Sequence, residues 1–450
     1  MKVAAYIDDQ FNRFVSELQA WCRQPSVSGA NRGIPEMVAL VRETLIAAGL
    51  AVQVFTVPGG HPVVYAERKG TTDKTLLFYG HYDVQPPEPL EAWASGPFEA
   101  EVRDGRLFAR GVADDKACLL SRVQAVEALL KTRGELPVSV KFLVEGEEEI
   151  GSSHLRPFVE SHKELLAADW CIWEYAAKNE LGYPTMTLGN KGLCYLQLTA
   201  AGPSQDWHSM FAPVIPNPAW RLVWALASLK NERDEILVEG FYHDVAPLSE
   251  AELAALARIP TDAKKLKASA GLDHLVQDVE GIELKKRLYA APTCNICGFT
   301  AGHVHSGKKG IVPARATAHV DLRLVVNQQP ADILDKVRRH LVAHGFGDIQ
   351  VEMLEGMMPA KTAVNTPFVD VVVQAARRAY KNEITVLPTS PGAGPREVFS
   401  TWTDMPIVGL GVGHAGSGVH GPNENVILED YREGIQHIAA LIEQLGISSA

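Results

Sequence analysis

The sequence predicts an α/β fold in which a helix-covered, mainly parallel sheet is interrupted by a smaller α+β unit. Three observations carry this. Apolar, β-branched or aromatic segments alternate with amphipathic helices as far as Glu174; the rhythm changes near Gly192; and it resumes after about residue 360. The expected organisation is one α/β domain in two parts, residues 1–191 and 359–450, flanking an insert at 192–358.

Each element follows from a local pattern. Phe11, Phe14, Val15, Leu18 and Trp21 recur at helical spacing, and a second helix runs from Pro35 to a stop at Gly49. Strands are expected at 51–57, 62–67 and 75–80, then at 138–146 and 169–174, with a helix at 116–131 between the two groups. Such alternation implies a sheet covered by helices, and chemistry gathers where its strands end. In the insert, a strand at 194–201 precedes a helix after Asn217-Pro218, a charged middle, an alternating strand at 316–326, a helix at 331–344 and a strand at 349–354. The last part offers a helix at 367–380, the strand ITVLP, a helix around 396–403, the strand MPIVGL and an amphipathic helix from Ile427. No internal repeat or low-complexity stretch interrupts this order.

Composition narrows the class of partner. With 450 residues, 46% of them hydrophobic and 22% charged, the chain has material for two or three folding units and is neither disordered nor a disulfide-stapled mini-fold. Its net charge of −11 comes without any basic block, so nucleic acid is not an expected partner. No apolar run approaches the ~18 residues that span a bilayer, so no membrane is expected either. Asp8 and Asp9 interrupt the start before a signal-peptide apolar segment develops, so a cytoplasmic location is expected. The six cysteines read as reduced, mostly buried thiols; Cys294-Asn-Ile-Cys297 has no second CxxC with which to build a zinc site.

Five short stretches carry chemistry. TLLFYGHYDVQP delivers His81 and Asp83 to a strand end, where a metal ligand with an acidic helper and a satisfied core histidine are equally good readings. RLFARGVADDK places Asp114 and Asp115 before a helix, ordinarily a cap. LVEGEEEIGSS sets Glu147, Glu148 and Glu149 at another strand end, ordinarily a solvated helix start. DWCIWE ends an apolar strand on Glu174, and HAGSGVHGPNENV holds His414 and His420 in a glycine-rich loop. Together, successive strand ends in one sheet present His, Asp, Glu and Glu, and a late loop adds a His. Such a mixed carboxylate and imidazole set suits two borderline divalent cations, Zn²⁺ first and Mn²⁺ or Co²⁺ otherwise.

The ordered set GHYDVQP, ARGVADDK, EGEEEIGS, WE and VHGPNE resembles the di-metal aminoacylase, carboxypeptidase and dipeptidase superfamily. That superfamily includes carnosinase-like dipeptidases, carboxypeptidase G and succinyl-diaminopimelate desuccinylase. The likeness runs over nearly the whole chain, with Trp93, Pro97 and Phe98 in between. It implies that His81 and Glu174 bind one metal, that Glu149 and His420 bind the other, and that Asp114 bridges them. It further implies that Asp83 orients His81 and that Glu148 is the general base. The insert corresponds to the family's lid, which mediates homodimerisation. His208 in SQDWHSMF then matches a histidine that reaches the partner's site to stabilise the oxyanion, and Arg323 in VDLRLV an arginine that holds the substrate carboxylate. Without the resemblance both read as ordinary surface or strand residues.

Departures leave the substrate class open. Ala117 replaces the usual glycine, and Met210, Ala212 and Pro213 replace glycines expected after the lid His-Ser. Gly310 leans toward dipeptidases and Glu174 toward carboxypeptidases and deacylases. Gly411, Gly413 and Gly416 fit G-x-G-x-x-G but no helix follows at once, His303 and His305 read as a polar lid face, and no GxSxG occurs. The expected activity is hydrolysis of the amide bond of dipeptides or short peptides with a free C-terminal carboxylate. The alternatives are removal of an acyl group from an N-acyl-amino acid, as in a deacylase or desuccinylase, and non-catalytic peptide binding on the same fold.

Overall fold

A computed structural model describes residues 2–400 and 402–448. Its largest sheet has eight strands in the order Ala51–Phe55, Val63–Arg68, Ser139–Glu145, Thr75–His81, Trp170–Trp173, Ile407–Gly409, Thr185–Thr187, Thr385–Leu387. The centre of the sheet is parallel. At one edge Ala51–Phe55, Val63–Arg68 and Ser139–Glu145 pair antiparallel; between the first two the link at 56–62 is too short for a crossover. The strand Ile407–Gly409 returns beside Trp170–Trp173 in parallel register, so the two parts of the chain complete one sheet.

One face of the sheet is covered by the helix Ala117–Arg133, buried over nearly its whole length between the strands and the helices Val3–Arg23 and Leu428–Ser448. Val3–Arg23 contributes Ile7, Phe14, Leu18 and Trp21 to that core, the stripe its spacing predicts. Arg122, also buried, donates to the carbonyls of Tyr79, Trp173, Glu174 and Leu410 and so ties together the ends of three central strands.

Residues 194–353 enclose a core of their own, with Leu196, Leu198, Leu222, Val320, Leu322 and Ile333 at its centre. Its four-stranded antiparallel sheet runs Thr293–Ala301, Arg315–Leu324, Gly192–Ala201, Gln350–Met357, backed by the helices Pro218–Leu229 and Pro330–Ala343. The edge strand Thr293–Ala301 escaped the sequence reading because both its faces are largely open and its apolar alternation is correspondingly weak. The expected charged middle holds three helices, Glu250–Arg258, Ala263–Ala270 and Gly281–Tyr289. The helix expected around 396–403 is the short Glu397–Ser400, and Thr401 lies outside the described residues. Among the described residues no helix is long and apolar enough to cross a membrane.

Candidate metal centre and its cleft

His81 closes the strand Thr75–His81 and is fully buried. Its Nδ1 lies 3.1 Å from the Asp83 carbonyl oxygen, so Nε2 is turned toward Asp114, whose Oδ1 is 3.0 Å away. Asp83 also acts through its side chain. The carboxylate accepts from the amides of Glu148 at 3.3 Å and Glu149 at 3.1 Å, which fixes the acidic turn beside the histidine. The other Asp114 oxygen lies 3.4 Å from His420 Nε2, and that nitrogen is 3.0 Å from Glu149 Oε2. Ligand atoms of Asp114, Glu149 and His420 thus sit within 4.8 Å of one another, and Asp114 stands between the two imidazoles.

The electrostatics show a site built for positive charge. Hydrogen bonds to Asp114 and Glu149 push His420 up to about 10. Burial works to lower His81, but Asp114 and Asp83 outweigh it and raise it well above the usual imidazole range. Burial also raises Glu174, with Glu148 adding to the effect; Glu174 Oε1 accepts from Trp173 Nε1 at 2.9 Å while its buried Oε2 has no partner. An orphaned buried carboxylate oxygen is costly unless something cationic meets it. Two imidazoles and three carboxylates, one of them carrying that orphan oxygen, fit a pair of divalent cations. Burial and the neighbouring acids push Glu148 up to about 8; its carboxylate lines the cleft without a hydrogen bond among the described residues.

Several supports were not assigned from sequence. Glu424, buried, accepts from Arg110 Nη1 and Gly111 N at 2.8 Å, Ala113 N at 3.0 Å and Asp114 N at 3.2 Å. Arg110 in turn donates through Nη2 to the His420 carbonyl at 3.1 Å, holding that residue in a left-handed conformation with φ 62°. Asp115 is buried behind His81, its Oδ2 3.4 Å from the His81 amide, and a Cβ on Gly80 would come within 2.5 Å of that oxygen. The three consecutive glutamates separate: Glu147 pairs with His154 at 2.7 Å, Glu148 faces the cleft and Glu149 joins the ligand cluster.

The cleft, of about 590 Å³, is bounded by Asp114, Glu148, Glu174 and His420 on one side and by Leu266, Leu288 and Tyr289 of the insert on the other. His208 and Arg323 are not among its lining residues. His208 is exposed, its Nδ1 accepting from Met210 N, and Arg323 forks onto Asp321 through Nε and Nη2 at 3.0 Å each. His414 is taken by Asn425 at 2.9 Å, while His303 and His305 are exposed in the insert with rings 5.8 Å apart. Cys294 is buried and Cys297 exposed on one strand, and all six cysteines are free.

Residues 77–444 match the profile of Peptidase family M20/M25/M40. The chain belongs to this family. It is therefore a metallopeptidase. It is 28% identical to the Beta-Ala-His dipeptidase of Rattus norvegicus, over 99% of this chain and 95% of that protein. It is 26% identical to a Cys-Gly metallodipeptidase of Schizosaccharomyces pombe, over 99% and 98%. Among solved structures it resembles an M20 family metallo-carboxypeptidase from Sulfolobus solfataricus, with 36% identity, TM-score 0.90 and coverage of 96% and 99%. Human carnosine dipeptidase 1 is similar at 27% identity and TM-score 0.81, covering 99% of each chain.

Proposed function

We propose that this M20 enzyme is a two-metal exopeptidase that hydrolyses the amide bond of dipeptides or short peptides with a free C-terminal carboxylate. The observation that carries this is the placing of one carboxylate, Asp114, between two imidazoles, with a half-buried glutamate, Glu148, facing the same cleft. His81 and Glu174 would hold one cation, Glu149 and His420 the other, and Asp114 both, with Zn²⁺ the first choice and Mn²⁺ or Co²⁺ the others. When bound there, such a pair of cations would polarise the scissile carbonyl and acidify water.

The chain's own residues then do the proton work. Glu148 takes a proton from the attacking water and passes it to the leaving amine nitrogen, so the carbonyl carbon gains oxygen as the C–N bond breaks. Asp83 keeps Glu148 and Glu149 in place through their amides and keeps His81 Nε2 turned toward Asp114. His208, exposed on the insert, would serve the site of a second copy as an oxyanion donor. A homodimer is supported by an apolar surface on the insert: Trp220 and Trp224 stack 5.9 Å apart on an exposed helix face. Ile296 and Phe299 stand open on the edge strand of the same unit. Free thiols throughout suit a cytoplasmic, reducing setting.

The test is to strip the protein with chelator, reload it with Zn²⁺, Mn²⁺ or Co²⁺, and offer an unblocked dipeptide, its C-terminal amide and an N-acyl amino acid. The expected result is two ions per chain and preference for the unblocked dipeptide. Two bound ions with no cleavage of any of the three would defeat the proposal; preference for the N-acyl amino acid would make it a deacylase.

A further inference from the structure

Trp173 ends the strand Trp170–Trp173, is 4% exposed and lines the cleft beside Glu174. Side chains on a strand alternate, and Cys171 and Trp173 share the face on which Tyr79 packs while Ile172 joins the opposite core. Continued alternation would point Glu174 away from the indole. Instead the strand stops at Trp173, and Trp173 Nε1 donates to Glu174 Oε1 at 2.9 Å. The other carboxylate oxygen, Oε2, is buried without a partner among the described residues. A hydrogen bond between chain neighbours thus leaves this carboxylate with one engaged oxygen and one open one.

The indole is itself held from several sides. The Tyr79 ring stacks on it at 3.9 Å, and Phe399 meets it edge-on at 5.8 Å. Tyr79 in turn donates to Glu145 Oε1 at 2.5 Å, an oxygen that also accepts from Ser152 Oγ at 2.9 Å. Arg122 Nη2 donates to the Trp173 carbonyl at 2.9 Å, and to the Glu174 carbonyl as well. Glu149 is served differently. Gln85 Nε2 donates to Glu149 Oε2 at 3.0 Å, and that is the same oxygen that faces His420 Nε2. Of the two glutamates, only Glu174 has its donor and its open position on different oxygens, so there the donor decides which oxygen is offered.

We propose that Trp173 is a positioning residue of the metal centre: by engaging Glu174 Oε1 it makes Glu174 a one-oxygen ligand through Oε2, and so keeps a coordination position free on the cation that Glu174 shares with His81. A carboxylate using both oxygens would take two positions, whereas a catalytic cation needs one left for water or substrate. This rests on the two-metal reading above and adds how one of its ligands is presented.

The experiment compares wild type, Trp173→Phe and Phe399→Leu, each stripped with chelator and reloaded with Co²⁺. Trp173→Phe keeps an aromatic ring against Tyr79 and removes the donor; Phe399→Leu loosens the packing on the same indole and leaves its N–H in place. The deciding readout is the visible d–d absorption of bound Co²⁺, which weakens as coordination number rises, and chelator competition with Zn²⁺ gives the affinities. Trp173→Phe is expected to bind two ions, with a weakened band from one of them and Zn²⁺ affinity lowered about 10-fold at that site only. On an unblocked dipeptide kcat should fall about 10- to 100-fold with KM within about threefold. Phe399→Leu should keep the wild-type band. An unchanged band in Trp173→Phe would overturn the proposal, and so would the same change in Phe399→Leu, because packing rather than the donor would then be responsible. If Trp173→Phe does not fold, Trp173→Tyr, whose hydroxyl sits at the far end of the ring, decides by the same criterion. If wild type takes up one Co²⁺ rather than two, the two-metal reading fails, while the band of that ion in wild type and variant still decides for Trp173.

Discussion

Glu424 offers the sharpest test of how the metal centre is held. Its Oε2 accepts from Arg110 and Gly111, and its Oε1 from Ala113 and Asp114, so one buried carboxylate fixes the turn that carries Asp114. Arg110 links the same clamp to the backbone of His420. In Glu424→Gln the shape is kept, but whichever way the amide lies, its NH₂ faces two of the four donors. Two charge-assisted hydrogen bonds at ~1.5–3 kcal/mol each set the cost to the metal-free protein at about 3 kcal/mol or more. Because the lost groups orient Asp114 and His420, metal affinity should fall 10- to 100-fold as well, the usual effect of disturbing a ligand's support. Urea unfolding of metal-free protein and chelator competition with Zn²⁺ measure the two effects separately. Glu147→Gln, whose acid pairs with His154 away from the ligands, is the control and should leave metal affinity within about threefold. If Glu424→Gln bound Zn²⁺ as wild type does, the clamp would have no part in placing the ligands.

Three further outcomes follow from the same structure. Glu148→Gln should keep both ions by elemental analysis and lose roughly 10²- to 10⁴-fold in turnover; full activity would strip Glu148 of its role as base. Replacing Trp220 and Trp224 together by Glu should give a monomer by light scattering, and persistence of the dimer would place the interface elsewhere. His437 is buried with Nε2 3.3 Å from the Val372 carbonyl, and burial holds it down to about 4. Its unfolded value is near ~6.5, so the unfolded chain binds the extra proton between those limits; the contribution is complete above pH 6.5 and is lost as pH falls toward 4, by about 3 kcal/mol at most. His437→Gln should flatten that part of the stability curve, and a urea midpoint that still falls as steeply from pH 6.5 to 4.5 would exclude His437 as the cause.

What could be read from sequence, and what could not, divides on physical lines. His81 and Glu174 were legible because an apolar strand ending on a polar residue is a local pattern, and the acidic turn at 147–149 was legible for the same reason. The division of labour within that turn came only with the family resemblance, because it depends on Asp83 and His154 arriving from other segments. Glu424 sits in a run of polar loop residues, and its partners lie more than three hundred positions away in the chain. The helix Glu250–Arg258 did carry a local signal, the Ser249 and Glu252 capping box, inside a stretch that read only as charged. Strand direction at the sheet edge followed from loop length, a cue present at 56–62 and overridden by the rhythm of the rest.

The insert can interrupt the sheet without separating the candidate metal ligands because of how it leaves and returns. Gly189 and Asn190 pair antiparallel with Lys361 and Ala360, so the entering and leaving strands lie side by side. The chain between them is closed off by that short ladder, while Ile407–Gly409 still finds Trp170–Trp173 in register and brings His420 and Glu424 back to Asp114. The same ladder ends at Asn190, which lines the cleft and bonds the 390–394 loop. The candidate ligands are held within the α/β part of the chain by Asp83, Glu424 and Arg122.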